Sequence, residues 1–208
     1  MLSAHGVGCS RSYRQLFTDF NLELRAGHAV QIAGENGAGK TTLLKTLCGL
    51  RRPDAGKISW REVDVHEQPS TFGDELLYIG HENALNPDLT PQENLSMWCG
   101  LFSGKGDIGA ALVAMGLPKT IHRPCRALSA GQRRRVALAR LSLSPAPLWI
   151  LDEPAAALDT AARDLLAAQI ANHVKAGRMA IFTTHESLVL PGIEAQHLKL
   201  RSGLGSEA

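Results

Sequence analysis

The residues with the plainest chemical purpose in this chain are Gly34, Glu35, Asn36, Gly37, Ala38, Gly39, Lys40 and Thr41, which spell G-x-x-x-x-G-K-T. A nucleoside triphosphate is a dense polyanion. Glycines let backbone N–H groups wrap it closely, and the N-terminus of a following helix adds a favourable dipole. Lys40 has the reach and charge to meet the β- and γ-phosphates, Thr41 offers a hydroxyl to Mg²⁺, and Thr42 completes the phosphate-binding set.

A second group suits hydrolysis. The apolar run Leu148-Trp149-Ile150-Leu151 ends in Asp152 and Glu153. This is a strand delivering two carboxylates to the carboxyl edge of a sheet, where open α/β folds bind ligands. Two acids after a strand are by themselves an ordinary solvated strand end. With a phosphate loop upstream, Asp152 reads as a Mg²⁺ residue acting through water, and Glu153 as the group that orients or deprotonates the attacking water. The third group is Leu128-Ser129-Ala130-Gly131-Gln132. Ser129 and Gln132 have capping-box spacing, so a helix is expected to begin there with free N–H donors at its positive end. That is a second anion site. One phosphate loop does not need it, so it reads as serving the nucleotide of another subunit.

The elements needed to position these groups are legible. Residues 28–33 read as a strand leading into the phosphate loop, with a helix over 39–48 closed by Gly49. Residues 58–60, 76–79, 148–151 and 179–183 read as further strands, and 196–200 as an edge strand. Thr90-Pro91-Gln92-Glu93 is a capping box with proline at the first helical position, and from 90 to about 144 only helical patterns and loops follow. Apolar spacing gives a helix over 160–175, with Gly177 closing it. The expectation is one α/β domain over 1–208, with a parallel or mixed sheet core and a helical subdomain inserted at 90–146. Residues 203–208 are expected to fray.

Composition narrows the classes. Lys plus Arg is 22 against 20 Asp plus Glu, so the net charge of +2 gives no footprint for a nucleic-acid partner. Arg133, Arg134 and Arg135 are expected to form a solvated helix face. The most apolar stretch, 138–151, is broken by Arg140, Pro145 and Pro147, so no membrane span is expected. The N-terminus does not read as a signal peptide. The expectation is a cytosolic chain whose work on a membrane needs an embedded partner. The four cysteines form no C-x-x-C pair and are expected to be reduced and mostly buried. The eight histidines are scattered, with no haem-attachment motif, so no direct haem site is evident.

The motifs GENGAGKT, LSAGQ followed by RRRVALARL, LWILDEP, the later Ala157-Leu158-Asp159 and His185 resemble the ATP-binding cassette ATPases, in that family's order and over nearly the whole chain. The resemblance implies a phosphate-loop ATPase fold of cassette type and a head-to-tail homodimer with two ATP molecules sandwiched between phosphate loop and opposing signature helix. It implies that His185 contacts the γ-phosphate and helps hold the catalytic geometry, and that Asp159 lies in the segment crossing the dimer interface. Two departures stand out. Where the family usually has glutamine, Leu77-Tyr78-Ile79-Gly80 is followed by His81, whose imidazole can accept a hydrogen bond from metal-bound water. Where the family often stacks adenine on an aromatic side chain, spacing gives either Arg11 or Tyr13. Within the family, LLYIGH, LSAGQRRRVALARL and LWILDEP are similar to the cytochrome c biogenesis branch, the ATP-binding haem exporters. That likeness implies ATP hydrolysis coupled to haem delivery or release from a carrier complex, integral-membrane partner subunits, and a peripheral place on the cytoplasmic face of the bacterial inner membrane. An ATPase for another cargo and a regulatory cassette protein without transport are the alternatives.

Overall fold

The computed structural model describes residues 1–11, 13–184 and 188–200. The strands are β1 (Leu2–Arg11), β2 (Arg14–Leu24), β3 (Ala29–Ala33), β4 (Ala55–Trp60), β5 (Val63–Asp64), β6 (Leu76–Ile79), β7 (Leu148–Leu151), β8 (Met179–Thr183) and β9 (Gln196–Lys199). The helices are α1 (Lys40–Leu47), α2 (Pro69–Asp74), α3 (Pro91–Phe102), α4 (Ile108–Ala114), α5 (Ala130–Leu138), α6 (Arg140–Leu143) and α7 (Thr160–Lys175).

Two sheets share the strands. The order β6-β7-β8-β3-β9 is parallel throughout, so the carboxyl ends of five strands from distant parts of the sequence open on one edge. Parallel strands are buried on both faces, which is why Leu148–Leu151 is uninterruptedly apolar. Leu148 and Ile150 pack with α1 and the second sheet, whereas Trp149 and Leu151 pack with α3 to α7. The second sheet, β2-β1-β4-β5, is antiparallel. Its β1–β2 hairpin was not among the expected strands, although Phe20-Asn21-Leu22-Glu23-Leu24 alternates with the period of two that a half-buried strand requires.

Between β6 and β7 the described residues form only helices, short turns and loops. Thr90 caps α3 in a complete capping box: its side chain accepts from the Glu93 N–H, and the Glu93 carboxylate accepts from the Thr90 N–H at 2.8 Å. Pro91 occupies the first turn, where no intrahelical donor is needed. Residues 196–199 lie at the sheet edge beside β3, as expected. Among the described residues, no helix is long and apolar enough to cross a membrane. Cys9, Cys48 and Cys125 are buried and Cys99 is half-buried, all as free thiols.

Candidate active site

The phosphate loop leaves β3 and turns into α1. Gly37 and Gly39 adopt φ of +80° and +98°, a region that a β-carbon disfavours. At Gly39 there is also no room: a β-carbon would lie 3.1 Å from Leu16 Cβ, where the start of β2 packs on the loop. Lys40 is 6% exposed, and its Nζ donates to the carbonyls of Gly34 and Glu35 at 2.7 and 3.2 Å. The ammonium therefore sits inside the curve of the loop. Glu35, Asn36, Gly37 and Thr41 are exposed around it, Thr42 is half-buried, and Ala38 is buried. The first-turn N–H groups of α1 have no intrahelical acceptors and form the helix's anion-favouring end.

Two strands away, β7 delivers Asp152 and Glu153 to the same edge. Asp152 is buried. Its Oδ1 accepts from the Thr183 hydroxyl at 2.9 Å, and its Oδ2 has no hydrogen-bond partner among the described residues. A buried carboxylate oxygen left in this way suits a hard divalent cation approached through water. Burial first, and then the Asp152 charge, push up the Tyr78 phenol and the Cys48 thiol, so both stay protonated beside the acid. Glu153 takes a φ of +47°, and its Oε2 lies 3.8 Å from His81 Nδ1 at the end of β6. The exposed imidazole of His81 thus stands against the carboxylate expected to act on water.

The signature segment opens α5 as expected. Ser129 Oγ accepts from the Gln132 N–H at 3.1 Å, and Gln132 Oε1 accepts from the Ser129 N–H at 3.0 Å. A β-carbon on Gly131 would lie 2.7 Å from the Ala157 carbonyl, so the helix start packs on the turn after β7 within the same chain. Asp159 closes that turn as the N-cap of α7, accepting from the Ala162 N–H at 2.8 Å.

The arginine triplet corrects an expectation. It is not a solvated face. Arg134 is 3% exposed, with its Nη1 donating to the carbonyls of Gly80 and His81 and to Asn83 Oδ1, and its Nη2 to the carbonyls of Asp152 and Glu153. Arg133 and Arg135 are half-buried, and Arg135 donates to the Gly116 carbonyl. A planar fork with five N–H groups can satisfy several carbonyls at once, which offsets the cost of burying its charge. Burial nevertheless pushes the Arg134 guanidinium down to about 10. Arg140 donates to the carbonyls of Asn83 and Ala84. Arg134, Arg140, Asn83 and Thr183 escaped the sequence reading because their partners, backbone and side chain alike, lie on segments distant in sequence.

Arg11 and Tyr13 flank the β1–β2 turn and are both exposed, Tyr13 at 107% of its reference area. His185 lies outside the described residues.

Comparison with known proteins gives a consistent picture. The ABC transporter family matches residues 17–156. The chain is 42% identical to the cytochrome c biogenesis ATP-binding export protein CcmA of Cupriavidus necator, over 97% of this chain and 89% of that one. It is 43% identical to the protein of the same name from Dechloromonas aromatica, over 96% of this chain and 100% of that one. An ATP-binding cassette solved as a dimer in a post-hydrolysis state with ADP and phosphate superposes with a TM-score of 0.85 at 22% identity, covering 100% of this chain and 98% of its own. The ATP-binding subunit of an ABC transporter gives 0.86 at 23% identity, covering 98% and 87%.

Proposed function

This chain belongs to the ABC transporter family, and from that premise we propose that it is the ATP-hydrolysing subunit of a membrane complex serving cytochrome c biogenesis. The name shared by its relatives supports the process. Because c-type cytochromes carry attached haem, the cargo is haem, exported or released from its carrier. This chain supplies the energy.

The observation that carries the enzymatic reading is the convergence on one sheet edge of Lys40 inside the glycine loop, the buried Asp152 and the adjacent Glu153. Lys40 and the loop N–H groups of residues 34–42 bind the phosphates. Mg²⁺ offsets phosphate charge when bound, and Thr41, Asp152 and His81 are the residues that would hold it. Glu153 takes the proton of the attacking water, with His81 beside it and His185 at the γ-phosphate. Arg11 and Tyr13 stand exposed where a base can lie against either. Ser129, Gly131 and Gln132 complete the site of a second copy in a head-to-tail homodimer, and residues 90–146 form the helical subdomain that carries them.

A groove of about 690 Å³ between the core and the helices supports the membrane partner. It is lined by Leu50, Leu76, Tyr78, Trp98, Leu101 and Phe102, and Leu101 and Phe102 are exposed. No nucleic acid is involved. The protein works peripherally at the cytoplasmic face of the inner membrane.

The test is reconstitution with the membrane subunits of a cytochrome c biogenesis complex. The complex should hydrolyse ATP and support attachment of haem to apocytochrome, and Glu153→Gln should abolish both while ATP still binds. Hydrolysis near the wild-type rate in Glu153→Gln would overturn the catalytic reading. Normal cytochrome c maturation in cells carrying only that variant would overturn the biological one.

A further inference from the structure

Glu153 is a side-chain-bearing residue in the left-handed region, φ +47°. A β-carbon disfavours that conformation, and it persists only where the surroundings over-determine it. At this position the surroundings include two backbone hydrogen bonds, one at each end of the residue. The Glu153 N–H donates to Thr183 Oγ1 at 2.8 Å, and the Glu153 carbonyl accepts from Arg134 Nη2 at 2.9 Å.

Both partners are committed in direction. The Thr183 hydroxyl uses its proton on Asp152 Oδ1 at 2.9 Å and a lone pair on the Glu153 N–H, so one atom orders both acids. The Arg134 fork takes three consecutive carbonyls: Asp152 at 3.0 Å, Glu153 at 2.9 Å and Pro154, from Nε, at 3.2 Å. Its other arm takes the Gly80 carbonyl at 2.9 Å, beside His81. Arg134 lies on α5, the helix that Ser129 opens, so the clamp also ties the signature helix to the acids of its own chain. Thr183 and Arg134 are 0% and 3% exposed, which leaves them out of a nucleotide's reach.

We propose that Thr183 and Arg134 are positioning residues for hydrolysis, which hold the Glu153 peptide at both ends and thereby aim its carboxylate. The proposal rests on Glu153 acting as the base. Valine at 183 fills the threonine's volume but leaves the Glu153 N–H and Asp152 Oδ1 without their partner. Serine keeps the hydroxyl. Lysine at 134 keeps a charge but loses the fork.

The experiment compares these variants of the full chain by steady-state ATPase kinetics and by calorimetric titration with ATP. Thr183→Val should lower kcat by about 100-fold, the scale of a misaimed catalytic group. Its ATP affinity should stay within about twofold, because the phosphate loop is untouched, and Thr183→Ser should restore most of kcat. Arg134→Lys should show the same split, and it carries the comparison if Thr183→Val does not purify as a folded protein. In a Glu153→Gln background, Thr183→Val should cause no further loss, because residues acting through one group are non-additive. Turnover lost in Glu153→Gln but kept in Thr183→Val and Arg134→Lys would overturn this proposal alone. So would a loss that appears as weaker ATP binding, or one that repeats in full in the Glu153→Gln background. Turnover kept in Glu153→Gln would remove the base, and this proposal with it.

Discussion

Lys40 turns its ammonium into the loop it belongs to, donating to the carbonyls of Gly34 and Glu35. Those bonds hold the side chain along the path that phosphate oxygens must take, so little reorganisation is needed for binding. Lys40→Ala should weaken ATP binding by about 10- to 100-fold, the worth of a hydrogen bond to a charged group, as measured by calorimetry. An unchanged affinity would remove Lys40 from the site. Glu153→Gln alters the chemistry while keeping the backbone bonds to Thr183 and Arg134. The amide cannot take up a proton, so turnover should fall by about 10²- to 10⁴-fold, roughly 3–5 kcal/mol of barrier, while ATP affinity persists. Single-turnover assays alongside ATP titration separate the two effects.

At the scale of elements, helix ends carry much of the positioning. The α3 cap uses both Thr90 and Glu93, and Thr90→Ala should lower stability by about 1 kcal/mol in urea unfolding. Thr90→Asp, which still caps, should not. Near the other end of the sheet, the His173 ring in the last turn of α7 stacks 3.5 Å from Trp149 of β7 and bonds the Met179 carbonyl that opens β8. Burial, and then the neighbouring Arg178 charge, push His173 down to about 4. Its folded form is therefore neutral across a range where the unfolded chain, titrating near 6.5, takes up a proton. The stabilisation is complete above about pH 6.5 and is lost as pH falls toward 4, amounting to roughly 2–3 kcal/mol. His173→Phe keeps a ring against Trp149 and should lose less stability than the wild type between pH 7 and pH 4.5. Parallel losses in the two proteins would show that His173 does not drive the acid sensitivity.

For the whole molecule the question is how two copies share a site. Gly131 is a poor probe of this, because a β-carbon there would meet the Ala157 carbonyl at 2.7 Å and disturb its own chain. Ser129→Asp is cleaner. Aspartate caps a helix as well as serine does, and its charge favours the N-terminus of α5. The isolated chain should fold and bind ATP normally, yet a phosphate brought against that helix by a second copy would meet a carboxylate. ATP-dependent dimers, read by light scattering, and hydrolysis should both be lost. Mixing Ser129→Asp with Lys40→Ala chains leaves one intact composite site per mixed dimer, and activity should return if one site can fire alone. A Ser129→Asp protein that dimerises and hydrolyses ATP normally by itself would overturn the shared site. Leu101→Asp should leave hydrolysis by the free chain unchanged and abolish co-purification with the membrane subunits.

Local order was legible in the residues themselves. The glycine loop, the two capping boxes at Thr90 and Ser129, the apolar run into Asp152 and the helix over 160–175 are each specified by neighbours a few positions apart, because caps, turns and periodicity act over that range. The β1–β2 hairpin was written in its alternation but is a weaker signal, since a strand's stability lies in its partners. Sequence spacing also gave the triplet Arg133-Arg134-Arg135 no means of showing that its middle member is buried. That depended on the loops after β6 and β7 presenting their carbonyls to one guanidinium. Thr183 likewise looks like an ordinary strand end until β8 lies beside β7 and its hydroxyl meets both acids. The residue types that bind phosphate are dictated by phosphate and can be read one by one. The groups that aim the acids are chosen by whichever backbone atoms the parallel sheet brings together, and only the folded sheet determines which those are.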